Sequence, residues 1–135
     1  MMSEFVDPKK VMIIEDNKLN QEIANTIITK LGHNIIQLFE GKDAVAIIRS
    51  EKPDLIILDI KLPDSSGIDI CRELKADPEL KRIVVIVVTS LAGSDNKKRI
   101  VEQSGCDNYI AKPFFPDLFA NTIGQYISIK KIDWN

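Results

Sequence analysis

The sequence predicts an open, doubly wound α/β domain built on a five-stranded parallel sheet. Three observations carry that reading. Five short runs rich in β-branched residues, at 11–14, 35–39, 55–58, 83–88 and 108–111, alternate with segments of helical spacing. None of the runs alternates cleanly between apolar and polar residues, as strands buried on both faces by helices should not. Polar and charged residues collect where these runs end, and open α/β sheets hold ligands outside the carboxyl ends of their strands.

The elements follow in order. After the first strand, Leu19, Ile23, Ile27, Ile28 and Leu31 share one face of a helix, with Gly32 as its C-terminal stop. His33, the only histidine, follows that glycine and is expected at a solvated turn, without a catalytic role. The second strand leads to a helix expected over 42–49. The third helix starts near Gly67, behind Ser65 and Ser66 as N-cap candidates. It places Ile68, Cys71 and Leu74 at three-residue steps and ends before Pro78. The fourth, SDNKKRIVEQS over 94–104, offers only Ile100 and Val101 as an apolar anchor and should be the least firmly docked. The last opens with Pro116 in its first turn and repeats Phe115, Phe119, Ile123 and Ile127 at four-residue steps. Strands alternating with helices imply right-handed crossovers.

The 135 residues suit one domain, large enough to bury a core without disulfides or a structural metal. A net charge of -2 argues for neither a nucleic-acid partner nor a membrane. Apolar runs reach six residues, at 83–88, far short of the roughly 20 that span a bilayer. The N-terminus MMSEFVDPKK lacks the apolar centre of a signal peptide, so a cytoplasmic location is expected. Cys71 and Cys106 belong to no CxxC and are read as reduced, packed thiols.

The stretch LIILDIKLP, residues 55–63, ends an apolar strand on a carboxylate, Asp59, with Pro63 close behind. A buried charge is costly, so such a strand needs a reason. The first strand ends in Glu15 and Asp16, the fourth in Thr89 and Ser90, and the fifth in Lys112 and Pro113. Three carboxylates on one sheet edge repel one another, and a hard divalent cation relieves them; carboxylates and water suit Mg²⁺. Taken singly, each residue has an ordinary reading. Glu15 and Asp16 could cap the helix that follows, Thr89 could close a turn, and Lys112 could be a solvated lysine. Together they make a kit for a phosphoryl group: a metal, an ammonium, a hydroxyl and a carboxylate able to attack phosphorus.

The order EDN, PDLIILDIKLPDSSG, VVTS and GCDNYIAKPF resembles the receiver domain of two-component response regulators. The resemblance covers residues 9–129 and is nearest to stand-alone receivers of the CheY and DivK kind. It leaves 1–8 as an N-terminal extension and 130–135 as a C-terminal tail too short for an output domain. It implies a flavodoxin-like fold with strand order 2-1-3-4-5. It also implies that Asp59 is the phosphoacceptor for a histidine kinase or histidine phosphotransfer protein, and that the chain is a signalling protein, with no chemistry beyond its own phosphotransfer and slow autodephosphorylation. Asp16, Asp59 and the Lys61 carbonyl would ligate Mg²⁺, with Glu15 acting through water. Thr89 and Lys112 would hold phosphoryl oxygens, the Lys112-Pro113 bond would be cis, and Tyr109 would turn inward on activation. The downstream target would then be met by the fourth helix, fifth strand and fifth helix.

Rival readings fare less well. A phosphohydrolase of the haloacid dehalogenase type wants a second acid two residues after the nucleophile, where this chain has Lys61. A flavodoxin needs a glycine- and threonine-rich phosphate loop where this chain has DNKLN. A receiver-like module that only binds a partner would not need the full acidic, Thr and Lys set. Chemotaxis receivers carry an amide and a carboxylate two residues after the phosphoacceptor and two after the Thr; here these are Lys61 and Leu91. Neither is suited to orienting a hydrolytic water, so a long-lived phosphoryl group is expected.

Overall fold

The computed structural model describes residues 2–3, 5–90 and 93–132. Its elements alternate in the order β1 (Lys10–Ile14), α1 (Lys18–Lys30), β2 (Asn34–Leu38), α2 (Ala44–Glu51), β3 (Leu55–Asp59), α3 (Gly67–Ala76), β4 (Val84–Thr89), α4 (Ser94–Ser104), β5 (Asn108–Ala111) and α5 (Pro116–Gly124). The strands form one parallel sheet in the order β2-β1-β3-β4-β5. This is the 2-1-3-4-5 arrangement expected from the sequence. Residues Met2–Ser3 pair separately, in parallel, with Ile129–Lys130.

The side-chain period of two sorts the strand residues into two cores. Val11 and Ile13 of β1, Leu55 and Ile57 of β3, and Ile86 and Val88 of β4 meet Ala24, Ile27 and Ile28 of α1 and Phe119 and Ile123 of α5. Met12, Ile14, Ile56, Leu58, Val85 and Val87 meet α2 through Ile48, α3 through Ile70, Cys71 and Leu74, and α4 through Ile100. Both faces are therefore dry, which is why no run alternates with polar residues. The four apolar side chains of β3 are at most 1% exposed. Each contributes about 1.5–3 kcal/mol of burial free energy, so the strand end that carries Asp59 is firmly held.

Helix ends mostly follow their local chemistry. Gly32, at φ +100°, ends α1 in a conformation that a Cβ would strain. Ser66 caps α3, its hydroxyl accepting from the Ile68 N–H at 3.2 Å. The second helix begins at Ala44, two residues later than expected, after Asp43 in the left-handed region. Leu19, assigned by spacing to the apolar face of α1, is 64% exposed and lines an open surface cleft with Ile23, Ile27 and Pro116. Phe115 is likewise exposed, and its neighbour Phe114 makes the edge-to-face contact with Phe119, ring centroids 5.0 Å apart. Both cysteines are buried and free, and burial pushes the Cys71 thiol up to about 12.

His33 departs from its expected solvated turn. It is buried, and its ring bridges two chain segments: Nδ1 accepts from the Lys9 N–H at 3.0 Å and Nε2 donates to the Ser128 carbonyl at 2.7 Å. The bond that Nδ1 accepts needs the neutral ring. Burial lowers the His33 pKa below 6.5, against the Ser128 carbonyl, which favours the charged form. The folded pKa thus lies below the unfolded one. The stability this ring confers is complete above the unfolded value and is lost as pH falls through the folded one. In urea unfolding at pH 7 and pH 5, the parent is expected to lose more stability than His33→Gln. Equal losses would contradict this role for the ring.

Candidate functional site

Asp59 is the last residue of β3 and is 6% exposed, so the strand carries its carboxylate into a mostly buried position. Oδ1 accepts from the Lys61 N–H at 3.2 Å and Oδ2 from Lys112 Nζ at 2.8 Å. The β3–α3 connection is folded tightly against it. Gly67 N–H donates to the Ile60 carbonyl at 2.8 Å, and Lys61 pairs with Ser66 in an isolated antiparallel bridge. A Cβ on Gly67 would lie 2.1 Å from the Asp59 carbonyl oxygen, so this close approach requires glycine.

At the end of β1, Glu15 is buried and Asp16 is exposed. The capping reading of this pair fails, because Asn17 is the N-cap of α1: its Oδ1 accepts from the Asn20 N–H at 2.9 Å. The acids are left for other work. Glu15 is held by neighbours in α1. Asn20 Nδ2 donates to Glu15 Oε1 at 2.7 Å, and the buried Gln21 amide donates to the carbonyls of Ile13, Glu15 and Leu38 at 2.8–3.1 Å. Neither contact was foreseen from the sequence. A polar residue one turn inside a helix gives no sign, on its own, of what lies beside it.

Lys112 closes the arrangement. Its ammonium lies 2.7 Å from Glu15 Oε1 and 2.8 Å from Asp59 Oδ2, joining the ends of β1 and β3 to the residue after β5. This replaces the solvated lysine that Lys112 would be if read alone. Its peptide bond to Pro113 is cis. Burial works against the charged lysine, yet its bonds to Asp59 and Glu15 outweigh that and raise its pKa above the ordinary value. Burial raises the Glu15 pKa, helped by the neighbouring Asp59 and opposed by Lys112 and Asn20.

Glu15, Asp16 and Asp59 each offer an oxygen, and these atoms lie within 4.8 Å of one another. Glu15 Oε2 is buried and, among the described residues, has no hydrogen-bond partner. An all-oxygen set with an orphaned carboxylate oxygen suits a hard cation such as Mg²⁺. Asp16 and Asp59 open on a cleft of about 510 Å³ lined also by Asn17, Asn20, Lys61, Thr89, Ser90 and Lys112, with Glu15 buried behind them.

Thr89 ends β4 beside Ala111 and is buried, and its carbonyl accepts from the Lys112 N–H at 2.8 Å. Tyr109 is half-buried one strand over, with Lys97 Nζ of α4 4.7 Å from its ring centroid. The Lys61 side chain is exposed, and Leu91 lies outside the described residues. Of the residues the sequence singled out, Glu15, Asp16, Asp59, Lys61, Thr89 and Lys112 therefore gather on one edge, with Tyr109 beside them.

The chain is similar to known proteins. Residues 11–123 match the family described as response regulator receiver domain. The chain is 42% identical over 120 residues to the polar-differentiation response regulator DivK of Brucella anthropi, across 89% of this chain and 97% of that protein. It is similar to the receiver domain of the sensor histidine kinase PA1611 of Pseudomonas aeruginosa, solved with a magnesium ion coordinated in the active site cleft. That TM-score is 0.77 at 25% identity, over 89% of this chain and 98% of the other. The chemotaxis response regulator CheY4 of Vibrio cholerae shares the fold, with a TM-score of 0.81 at 20% identity over 90% and 100% of the two chains.

The Gly67 contact gives a test of how tightly the site is built. Gly67→Ala forces the start of α3 away from the Asp59 carbonyl and is expected to cost about 1–3 kcal/mol in urea unfolding, the usual range for overpacking. An unchanged unfolding midpoint would mean that the β3–α3 connection yields freely.

Proposed function

The chain belongs to the response regulator receiver family, and from that membership we propose that Asp59 accepts a phosphoryl group from a histidine kinase or histidine phosphotransfer protein. The observation that carries this reading is the convergence of Glu15, Asp16 and Asp59 with Lys112 at one cleft. An Asp59 carboxylate oxygen forms a bond to phosphorus while the phosphorus–nitrogen bond of the donor phosphohistidine breaks, and the electron pair leaves with the imidazole. The acyl phosphate so formed sits where Lys112 already rests, so the ammonium can follow the charge from carboxylate to phosphoryl oxygen. The Thr89 hydroxyl is a second donor for that group.

The chain's residues fit Mg²⁺, and the magnesium in the Pseudomonas receiver supports the assignment. Asp16, Asp59 and the Lys61 carbonyl would hold the ion, with Glu15 acting through water, and it would neutralise phosphoryl oxygens as charge builds. Phosphorylation gives Thr89 a new acceptor, drawing the β4–α4 connection inward and making room for the Tyr109 ring. The contact of Lys97 with that ring ties α4 to the same event. The surface that meets the downstream protein is accordingly α4, β5 and α5.

Labelling with radioactive phosphate from a cognate kinase, or from acetyl phosphate, tests the phosphoacceptor. Asp59→Asn should retain the parent's circular dichroism spectrum and take up no label, and the parent should take up none in excess chelator. Undiminished labelling of the variant would overturn the assignment of Asp59.

The phosphoryl group should also be long-lived. The groups two residues after Asp59 and two after Thr89 are Lys61 and Leu91, and neither can accept a hydrogen bond from an attacking water. Loss of label from purified phosphoprotein in Mg²⁺ is expected over minutes or longer, and the pair Lys61→Asn and Leu91→Glu should accelerate it. A parent half-life of seconds would contradict the proposal.

A further inference from the structure

We infer that Asn20 is a positioning residue of this centre, holding Glu15 in place so that Lys112 is free to leave it for the phosphoryl group. The inference rests on the phosphoacceptor reading above and adds a residue to it. Glu15 Oε1 has two donors in the structure, Asn20 Nδ2 at 2.7 Å and Lys112 Nζ at 2.7 Å. Lys112 is shared with Asp59, and in the proposed reaction it turns to the incoming oxygens. Among the described residues, Glu15 then keeps a donor on Oε1 only through Asn20. A buried carboxylate stripped of its donors would change rotamer, and that change would spoil the oxygen set.

The other carboxylate oxygen shows what this fixing achieves. Glu15 Oε2 is buried without a hydrogen-bond partner among the described residues, so the side chain is held by one oxygen and leaves the second for a cation or its water. Asn20 lines the same cleft. Groups that orient ligands from behind commonly set metal affinity, and losing one typically costs about 10- to 100-fold.

The side chain can be tested apart from the helix that carries it. The N-cap bond of α1 uses the Asn20 backbone N–H, which Asn20→Ala retains, and alanine is the better helix former. Titration of the unphosphorylated protein with Mg²⁺ alone, by calorimetry, reads the effect without any transfer reaction. Asn20→Ala is expected to weaken Mg²⁺ binding about 10-fold or more, while its circular dichroism spectrum in chelator matches the parent's. In a Glu15→Gln background the same substitution should cost little, since it acts through Glu15. An unchanged Mg²⁺ affinity in Asn20→Ala would overturn the inference, and so would an equal loss in both backgrounds. A parent protein that binds no Mg²⁺ would instead overturn the metal-dependent reading on which it rests.

Discussion

The Lys112 ammonium, shared between Glu15 and Asp59, is the interaction on which the rest of the site depends. A parallel sheet places all its strand ends on one edge, so any acids there must face one another. Without a cation among them, the carboxylates at the ends of β1 and β3 would make folding costlier. Lysine suits the task because its charge sits at the end of a flexible stem and can follow a moving negative charge. The same ammonium holds the unmodified site together and, in the proposed reaction, would receive the phosphoryl oxygens. It reaches two strand ends only because β5 is placed by its parallel pairing with β4, through Val87 with Tyr109 and Thr89 with Ala111.

That placement draws on both cores. Every side chain of β3 is buried, and α1 and α3 are each capped by a side chain, Asn17 and Ser66. The acids are thus mounted on well-terminated elements. On the other side of the cleft, the N-cap of α4 is Gly93, which has no side chain to cap the helix, and the helix's firm apolar anchor is Ile100. Phosphate-dependent movement costs least where the fewest buried contacts must be exchanged, and that side carries Thr89, Tyr109 and Lys97.

Much of this was legible in the sequence because it follows from composition and period. Apolar runs without alternation mean strands covered on both faces, and the residues that end those runs must share an edge. Glu15, Asp16, Asp59, Thr89 and Lys112 could be brought together on those two facts. What escaped depends on contacts between distant segments. His33 follows a helix-stopping glycine and reads as a turn, yet its neighbours are Lys9 and Ser128, which the fold brings to it. Leu19 has helical spacing, but it lines an open surface cleft beside Pro116, a residue distant in sequence. Gly67 reads as a helix start, and the reason it must be glycine lies in the Asp59 backbone.

Glu15 and Asp59 show how burial and function are reconciled in this sheet. Both carboxylates are almost fully buried, which for an unpaired charge would be among the more expensive features a small domain could carry. Each has one donor of its own, Asn20 on Oε1 of Glu15 and the Lys61 N–H on Oδ1 of Asp59, and one that they share, Lys112. The fixed donors keep the acids oriented whatever occupies the cleft, whereas the shared one can be withdrawn. Because a divalent cation and a phosphoryl group would bring opposite charges to the same edge, the proposed centre could exchange partners without leaving a buried charge unpaired. The proposed switch needs that property more than it needs any single strong bond, since a site locked by strong fixed pairs would hold Lys112 and could not report the arrival of phosphate.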